Sequence, residues 1–177
     1  MNTINIQYYK SPVGELMLGT FDQQLCLCDW RYRKKRLRID ARVKNGLKAE
    51  YVEKDDEVIE YTRQQLEEYF RKERNTFSVP LLLVGTAFQK QVWQALQDIP
   101  YGVTTTYAGL AESIGNRNAL RAVANANGAN GISILIPCHR VIASNGELQG
   151  YAGGKPAKEK LLNLEGGLPN QQGSLFD

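Results

Sequence analysis

"TTTYAGLAESIGNRNALRAVANANG", residues 104–128, is the stretch on which the fold turns. A short helical pattern opens it, Ile114-Gly115-Asn116 breaks it, and a second helical pattern follows. Two short helices about a glycine-bearing turn suggest a helix-turn-helix, although many helical hairpins of this kind only pack on a neighbour. The second helix is built from small residues, Ala119, Ala122, Ala124 and Ala126, with Arg121 as its one strong cation. Few of its side chains are long enough to read a major-groove edge pattern. A helix this smooth suits close approach to a nucleic-acid backbone or minor groove with a single arginine pushed in. The plain alternative is that the alanines pack on the preceding helix and Arg121 is solvated.

Upstream, Thr86 is placed to cap "AFQKQVWQALQDI", whose Phe88, Val92, Trp93, Leu96 and Ile99 form a buried stripe; Pro100 and Gly102 end it. "TFSVPLLLVG" (76–85) reads as a connection between two domains, with the boundary near residue 80. Before it, "DDEVIEYTRQQLEEYFRKERN" (55–75) places Val58, Ile59, Thr62, Leu66, Tyr69 and Phe70 on one helical side, opened by acids and closed by bases. The first thirty residues read as strands, with turns at 11–14 and 21–23. Cys26 and Cys28, two apart, are expected on one face of a strand as core residues. The basic block "RYRKKRLRIDARVK" (31–44) beside the acidic "EYVEKDDEVIE" (50–60) reads as a solvated, mutually compensating surface, and its spacing gives no support to a phosphate-binding role.

The bulk numbers leave one ordinary domain or two small ones. The chain has 177 residues, 42% of them apolar and 23% charged, with 22 basic against 19 acidic side chains and a net charge of +3. That balance neither demands nor excludes nucleic acid. No apolar run approaches the roughly 20 residues of a membrane span. The start lacks a charged-then-apolar signal pattern, and three cysteines are no disulfide framework; both point to a reducing, cytoplasmic setting.

Downstream lies the chemistry. "ISILIPCHRVIASNG" (132–146) sets the single histidine, His139, directly after Cys138, behind what reads as an apolar strand. A turn at Ser144-Asn145-Gly146 follows, and then "GYAGG" (150–154) leads into a helix with Pro156 near its start and Gly166 just past its end. The tail from about residue 168 has little to fold. One histidine with three cysteines and no CxxC or HxxxH makes structural zinc a poor fit. A cysteine hydrolase needs imidazole against thiol, and neighbours on a strand point to opposite faces. A relay suits the spacing better: His139 takes the thiol proton through one water while a carboxylate fixes the imidazole tautomer. Glu165, at the end of the last helix, is a candidate for that carboxylate, as one acid among 19. The relay answers a chemical need, because a free thiol of pKa about 8.5 is mostly protonated at neutral pH.

"ILIPCHRVI", then "GYAGG" twelve residues on, then "KEKLLNLEG", strongly resembles the O6-alkylguanine-DNA alkyltransferases. "GTAFQKQVWQAL", "IPYGVTTTYAGLA", "RAV" and the asparagine eight residues before the cysteine extend the match over residues 80–166. Residues 1–79 resemble the family more loosely, chiefly through "SPVGELML".

The resemblance implies a small α/β amino-terminal support domain over 1–80, RNase H-like, an antiparallel sheet with a helix. It implies a mainly α domain over 81–177 with a winged-helix-like helix-turn-helix. The function it implies is direct repair. A monomer binds double-stranded DNA carrying O6-alkylguanine through the minor groove, extrudes the damaged nucleotide, and takes the alkyl group onto its own cysteine once, with no cofactor or metal and no membrane.

Residue by residue, Cys138 matches the acceptor, His139 the base acting through water, and Glu165 the carboxylate completing the relay. Tyr107 matches the tyrosine that assists rotation of the nucleotide and donates to the guanine ring. Arg121 matches the arginine filling the gap in the stack, and Asn130 the asparagine bracing the turn between DNA-binding helix and active site. Val141, Tyr151, Ala152 and Gly153 match pocket positions, and Lys158 a lysine near the bordering loop. Gly131 stands where relatives commonly have proline, and "ANANG" (124–128) departs from the glycine-rich or basic version. Ligands for the amino-terminal zinc of some relatives are not evident, nor is the extra domain of those that act as regulators. Alkyl size and activity on O4-alkylthymine are left open. A lesion-binding relative lacking the cysteine and an unrelated cysteine hydrolase are the rival readings.

Overall fold

Alternating side chains and two tight turns make the first thirty residues a three-stranded meander, β1 (Asn2–Ser11), β2 (Gly14–Phe21) and β3 (Gln24–Trp30). The second turn is a two-residue hairpin with Asp22 and Gln23 both at positive φ, 50° and 61°, the mirror-image geometry that matches strand twist. The computed structural model describes residues 2–148 and 150–168, so the tail expected to be loose lies outside the described residues. No described helix is long and apolar enough to cross a membrane.

The sheet differs from the expected antiparallel arrangement. A fourth strand, β4 (Ala49–Glu53), pairs parallel with β1, giving the order β3-β2-β1-β4. The crossover that makes a parallel pair possible is a helix, α1 (Arg36–Leu47), within the block expected to be solvated surface. Its pattern is faint because only Ile39 and Val43, four apart, are buried. Lys48, left-handed at φ 51°, ends it.

Cys26 and Cys28 do not share a face. The β2–β3 register runs Gly19↔Leu27 and then Thr20↔Leu25, so Cys26 is the extra residue of a β-bulge. The bulge shifts the alternation by one. Cys28 therefore joins the core beneath Leu16, Leu18 and Tyr69, while Cys26 joins Ile4, Met17 and Val43 under α1.

Helix α2 (Glu57–Phe70) starts where the Asp56 carboxylate accepts the Ile59 amide at 2.8 Å. It buries Ile59, Thr62, Gln65, Leu66 and Tyr69, and stops five residues short of the charged end of the predicted segment. The connection that follows lies along β3: the Leu25 amide donates to the Pro80 carbonyl at 2.8 Å and Leu82 donates to Leu25 at 2.9 Å. The same edge strand also carries Gly131 and Ser133, through Cys28 N–H to Gly131 O (2.9 Å) and Ser133 N–H to Cys28 O (2.7 Å). One strand thus ties the sheet to the segment preceding Cys138.

The remaining elements are helices and one short strand pair. A reciprocal capping box between Thr86 and Gln89 starts α3 (Ala87–Leu96), which buries Val92, Trp93 and Leu96. Thr106 caps α4 (Tyr107–Ser113), Gly115 turns the chain at φ 73°, and α5 (Leu120–Gly128) follows. Strands β5 (Thr105–Thr106) and β6 (Val141–Ile142) pair in parallel, and α6 (Lys155–Glu165) ends at a left-handed Gly166.

The apolar run before Cys138 is not the strand expected from its composition. Leu135 N–H returns to Ser133 O at 2.9 Å, Ile136 N–H to Ile132 O at 3.0 Å, and Ile134 has a φ of 73°, a conformation β-branched residues avoid. A run buried on every side carries no periodicity that separates a strand from a folded-back loop. Burial in the large core offsets the strain at Ile134, which is 1% exposed.

Candidate active site

Cys138, His139 and Arg140 form a single 3₁₀ turn after Pro137, and all three are buried. Successive side chains on such a turn diverge by a third of a revolution. No hydrogen bond joins the Cys138 and His139 side chains among the described residues, so the separation expected from a strand is reached by another geometry. His139 Nε2 lies 2.8 Å from Glu165 Oε2. Gly166 ends α6 immediately after Glu165 and leaves that carboxylate facing the turn.

Three side chains converge on Glu165 through four hydrogen bonds. Besides His139, Arg140 donates from Nε to Oε1 at 2.8 Å and from Nη2 to Oε2 at 3.0 Å, and the Tyr69 hydroxyl donates to Oε2 at 2.6 Å. Burial alone raises a carboxyl pKa, but the hydrogen bonds and charge of His139 and Arg140 outweigh it and bring Glu165 down to about 2. An ionised Glu165 only accepts, so His139 carries its proton on Nε2 and keeps the lone pair of Nδ1 free. Nδ1 is buried and has no protein partner among the described residues. Burial lowers the His139 pKa despite Glu165, which keeps the ring neutral and able to accept.

Asn130 ties the cysteine to the end of α5. Its Nδ2 donates to Ile136 O at 2.9 Å and lies 3.2 Å from Cys138 Sγ, while its Oδ1 accepts the Ile132 amide at 3.0 Å. Burial pushes the Cys138 thiol up, and the Asn130 amide and Lys158 ammonium pull it back only in part. Lys158 is itself buried and donates to Val141 O at 2.6 Å, with its pKa brought down to about 8 by burial. It is no solvated helix residue.

Tyr151 packs edge-on against Trp30, centroids 5.1 Å apart, and its ring lies 6.4 Å from that of His139; its buried hydroxyl has no partner among the described residues. Ala152 packs against the same core, and Gly153 passes Trp30 so closely that a Cβ would sit 2.4 Å from the indole. Tyr107 opens α4, half-buried, with its hydroxyl near Gly150. Arg121 stands exposed near the start of α5. Asn130 thus touches Cys138, Glu165 holds His139, Tyr151 and Ala152 pack against the core that also holds Cys138, Gly153 lies against its Trp30, and Arg121 stands exposed on the surface.

This chain resembles known proteins along nearly its whole length. Residues 4–83 match the family described as 6-O-methylguanine DNA methyltransferase, ribonuclease-like domain, and residues 87–167 match its DNA binding domain. A methylated-DNA–protein-cysteine methyltransferase of Methanosarcina acetivorans is 43% identical, covering 89% of this chain and 96% of the relative. The constitutive enzyme of that name from Bacillus subtilis is 50% identical, covering 90% and 96%. The chain belongs to the 6-O-methylguanine DNA methyltransferase family. A crystal structure of Mycobacterium tuberculosis O6-methylguanine methyltransferase superposes with a TM-score of 0.78 at 36% identity, covering 98% of this chain and 99% of that one. A complex of the Mycobacterium tuberculosis protein with DNA superposes with the same score at 37% identity.

Within this member of the methyltransferase family, the basic block predicted to be solvated is in large part turned inward. Asp29, fully buried, holds Arg33 at 3.0 Å and Arg36 at 2.9 Å. Arg33 Nη2 donates to Gly128 O at 2.8 Å and Nη1 to Asn130 O at 3.3 Å, and Arg42 Nη1 donates to Ala129 O at 2.8 Å. Two arginines of the sheet half therefore cap the carbonyls at the end of α5, next to Asn130. Arg33→Ala is expected to lower stability by about 3 kcal/mol, because it strips a partner from a buried carboxylate. Urea unfolding of the variant tests this, and a change under 1 kcal/mol would contradict it.

Acid stability follows from Glu165 with a definite sign. Its folded pKa is depressed, so its contribution is complete above about pH 4.5 and is lost as pH falls toward 2. His139, lowered from 6.5, adds to the loss on acidification, because the unfolded chain takes up that proton first. Unfolding free energy should therefore fall steadily below neutrality, and Glu165→Gln should remove the part of the slope between pH 4.5 and 2.

Proposed function

We propose that this chain repairs DNA directly, moving a methyl or other alkyl group from O6 of guanine to Cys138 Sγ, once per molecule. The observation that carries the reading is the row Glu165–His139 ending in a buried Nδ1 that has no partner among the described residues, on the residue next to the buried Cys138. A water between Nδ1 and Sγ passes the thiol proton to His139, and Glu165 stabilises the imidazolium that forms. The thiolate attacks the alkyl carbon in line; the S–C bond forms as the C–O6 bond breaks, and its electron pair enters the purine. Tyr107, whose hydroxyl lies near the loop 150–154, donates to the ring as that charge develops. The proton taken from the thiol leaves the imidazolium for solvent, the purine anion takes one back, and the products are a thioether and an unmodified guanine. No cofactor takes part, since the acceptor is the protein itself.

DNA reaches the site through α4 and α5. The exposed residues of α5 are Leu120, Arg121, Ala122 and Asn125, and the small Ala122 and Asn125 favour close approach in the minor groove with Arg121 entering the stack as the nucleotide is extruded. Val141, Tyr151, Ala152 and Gly153 wall the base, and Lys158 braces β6 through the Val141 carbonyl. We read residues 1–80 as an RNase H-like support domain and 81–177 as a domain with a winged-helix-like helix-turn-helix formed around β5, α4, α5 and β6. The protein acts as a cytoplasmic monomer.

Excess O6-methylguanine duplex, labelled on the methyl, tests this reading. Label on the protein should plateau at one per molecule and stay there. Continued turnover, or no uptake, would defeat the proposal.

A further inference from the structure

A groove of about 520 Å³ runs between α1 and α5. Lys35, Arg38 and Arg42 line it from one side, Ala122, Asn125 and Ala129 from the other, and Thr86, Phe88 and Gln89 at the start of α3 complete it. Most cations of the 31–44 block are already committed. Arg31 pairs with Glu15, Arg33 and Arg36 with Asp29, Lys44 with Glu50, and Arg42 with the Ala129 carbonyl. Lys34, Lys35 and Arg38 remain exposed and make no ion pair among the described residues. Charge left uncompensated beside neutral, small side chains is a surface for a polyanion rather than for another folded face.

We infer that this groove is a second DNA contact, in which Lys35 and Arg38 on its wall, with Lys34 next to Lys35 in the chain, take backbone phosphates beside those reached by α5. The inference rests on the reading of α5 as the DNA-binding helix. Ala122 and Asn125 belong to the exposed face of α5 and also line the groove, so a duplex on that face continues into it without a gap. Small residues on the α5 wall leave room for a sugar-phosphate strand. DNA places a charge every 1.7 Å or so along its axis, so Lys34 and Lys35 in the turn leading into α1 and Arg38 in its first turn face phosphates in any register. The contact carries no sequence information and supplies affinity and orientation only. It also gives the amino-terminal half a direct part in binding, alongside its part in holding the end of α5.

The test is the salt dependence of duplex affinity. Each phosphate contact contributes about 0.9 to the slope of log affinity against log salt. The triple variant Lys34→Gln/Lys35→Gln/Arg38→Gln should lose about 2 to 3 from that slope and bind at least about tenfold more weakly at physiological salt. A control triple, Lys10→Gln/Lys54→Gln/Lys72→Gln, removes the same charge from exposed positions that do not line the groove and should keep the wild-type slope. Alkyl uptake from a free O6-alkylguanine base should be the same in all three proteins, which also reports that they fold. Equal slopes in wild type and the groove variant would overturn the inference, as would an equal loss in both triples. If the wild-type protein binds no duplex at all, the reading of α5 fails instead. Loss of affinity in Arg121→Ala with an unchanged groove variant leaves that reading standing and removes only this one.

Discussion

Cys138→Ala should abolish alkyl uptake while leaving duplex affinity within about twofold, since no phosphate-contacting charge is removed. No other thiol can substitute. Cys26 and Cys28 are buried on opposite faces of the sheet, and burial pushes Cys26 to about 12 and Cys28 higher still. The cost in stability should be small, on the order of 1 kcal/mol, because one sulfur leaves a small void. Asn130 keeps its bonds to Ile136 and Ile132 when Sγ is gone. Residual uptake in the variant, measured with labelled oligonucleotide, would mean that another residue is the acceptor. Loss of DNA binding would mean that Cys138 supports the fold of the interface instead.

Glu165→Gln should slow transfer by about 10²- to 10⁴-fold, the usual worth of a positioned base. An amide presents a donor as well as an acceptor, so the His139 tautomer is no longer fixed, and Arg140 keeps a buried charge without a counter-ion. Removing one member of such a buried pair costs about 3–5 kcal/mol of stability. The two effects separate by pH. If His139 has ceased to act as base, hydroxide must make the thiolate, and the variant's rate should climb with pH up to the thiol's own pKa. The wild-type rate should be flat over the same range. A variant that is merely unstable would show the wild-type pH profile at reduced amplitude, and that outcome would remove Glu165 from the relay.

Much of the candidate site can be read from sequence because its parts are local. The Pro-Cys-His-Arg turn, the asparagine eight residues earlier and the helix ending at Gly166 each announce themselves within a short window. What is hidden comes from far along the chain. Tyr69 reaches Glu165 across 96 residues, yet in sequence it is one more apolar position on the stripe of α2. Arg140 stands in the motif itself, and only the structure shows it as the bidentate partner of Glu165.

The same holds for the fold. Arg33, Arg36 and Arg42 look like surface charge because their partner, Asp29, sits in a strand and their acceptors are carbonyls near residue 129, which no charge pattern reveals. Helix α1 buries too little to show a period. The bulge at Cys26 and the folded-back run at 132–137 are decided by pairing across the sheet edge, not by the local order of apolar residues. Local propensity therefore marks the caps and helices, and tertiary contacts decide the crossover, the bulge and the brace behind the thiol.

Peptide mass spectrometry after one equivalent of O6-methylguanine duplex tests the central claim most directly. The account predicts a single methyl, on the peptide holding Cys138, with the peptide holding Cys26 and Cys28 unmodified and the guanine restored. A methyl found on Cys26 or Cys28, or a restored guanine with no modified peptide, would contradict it.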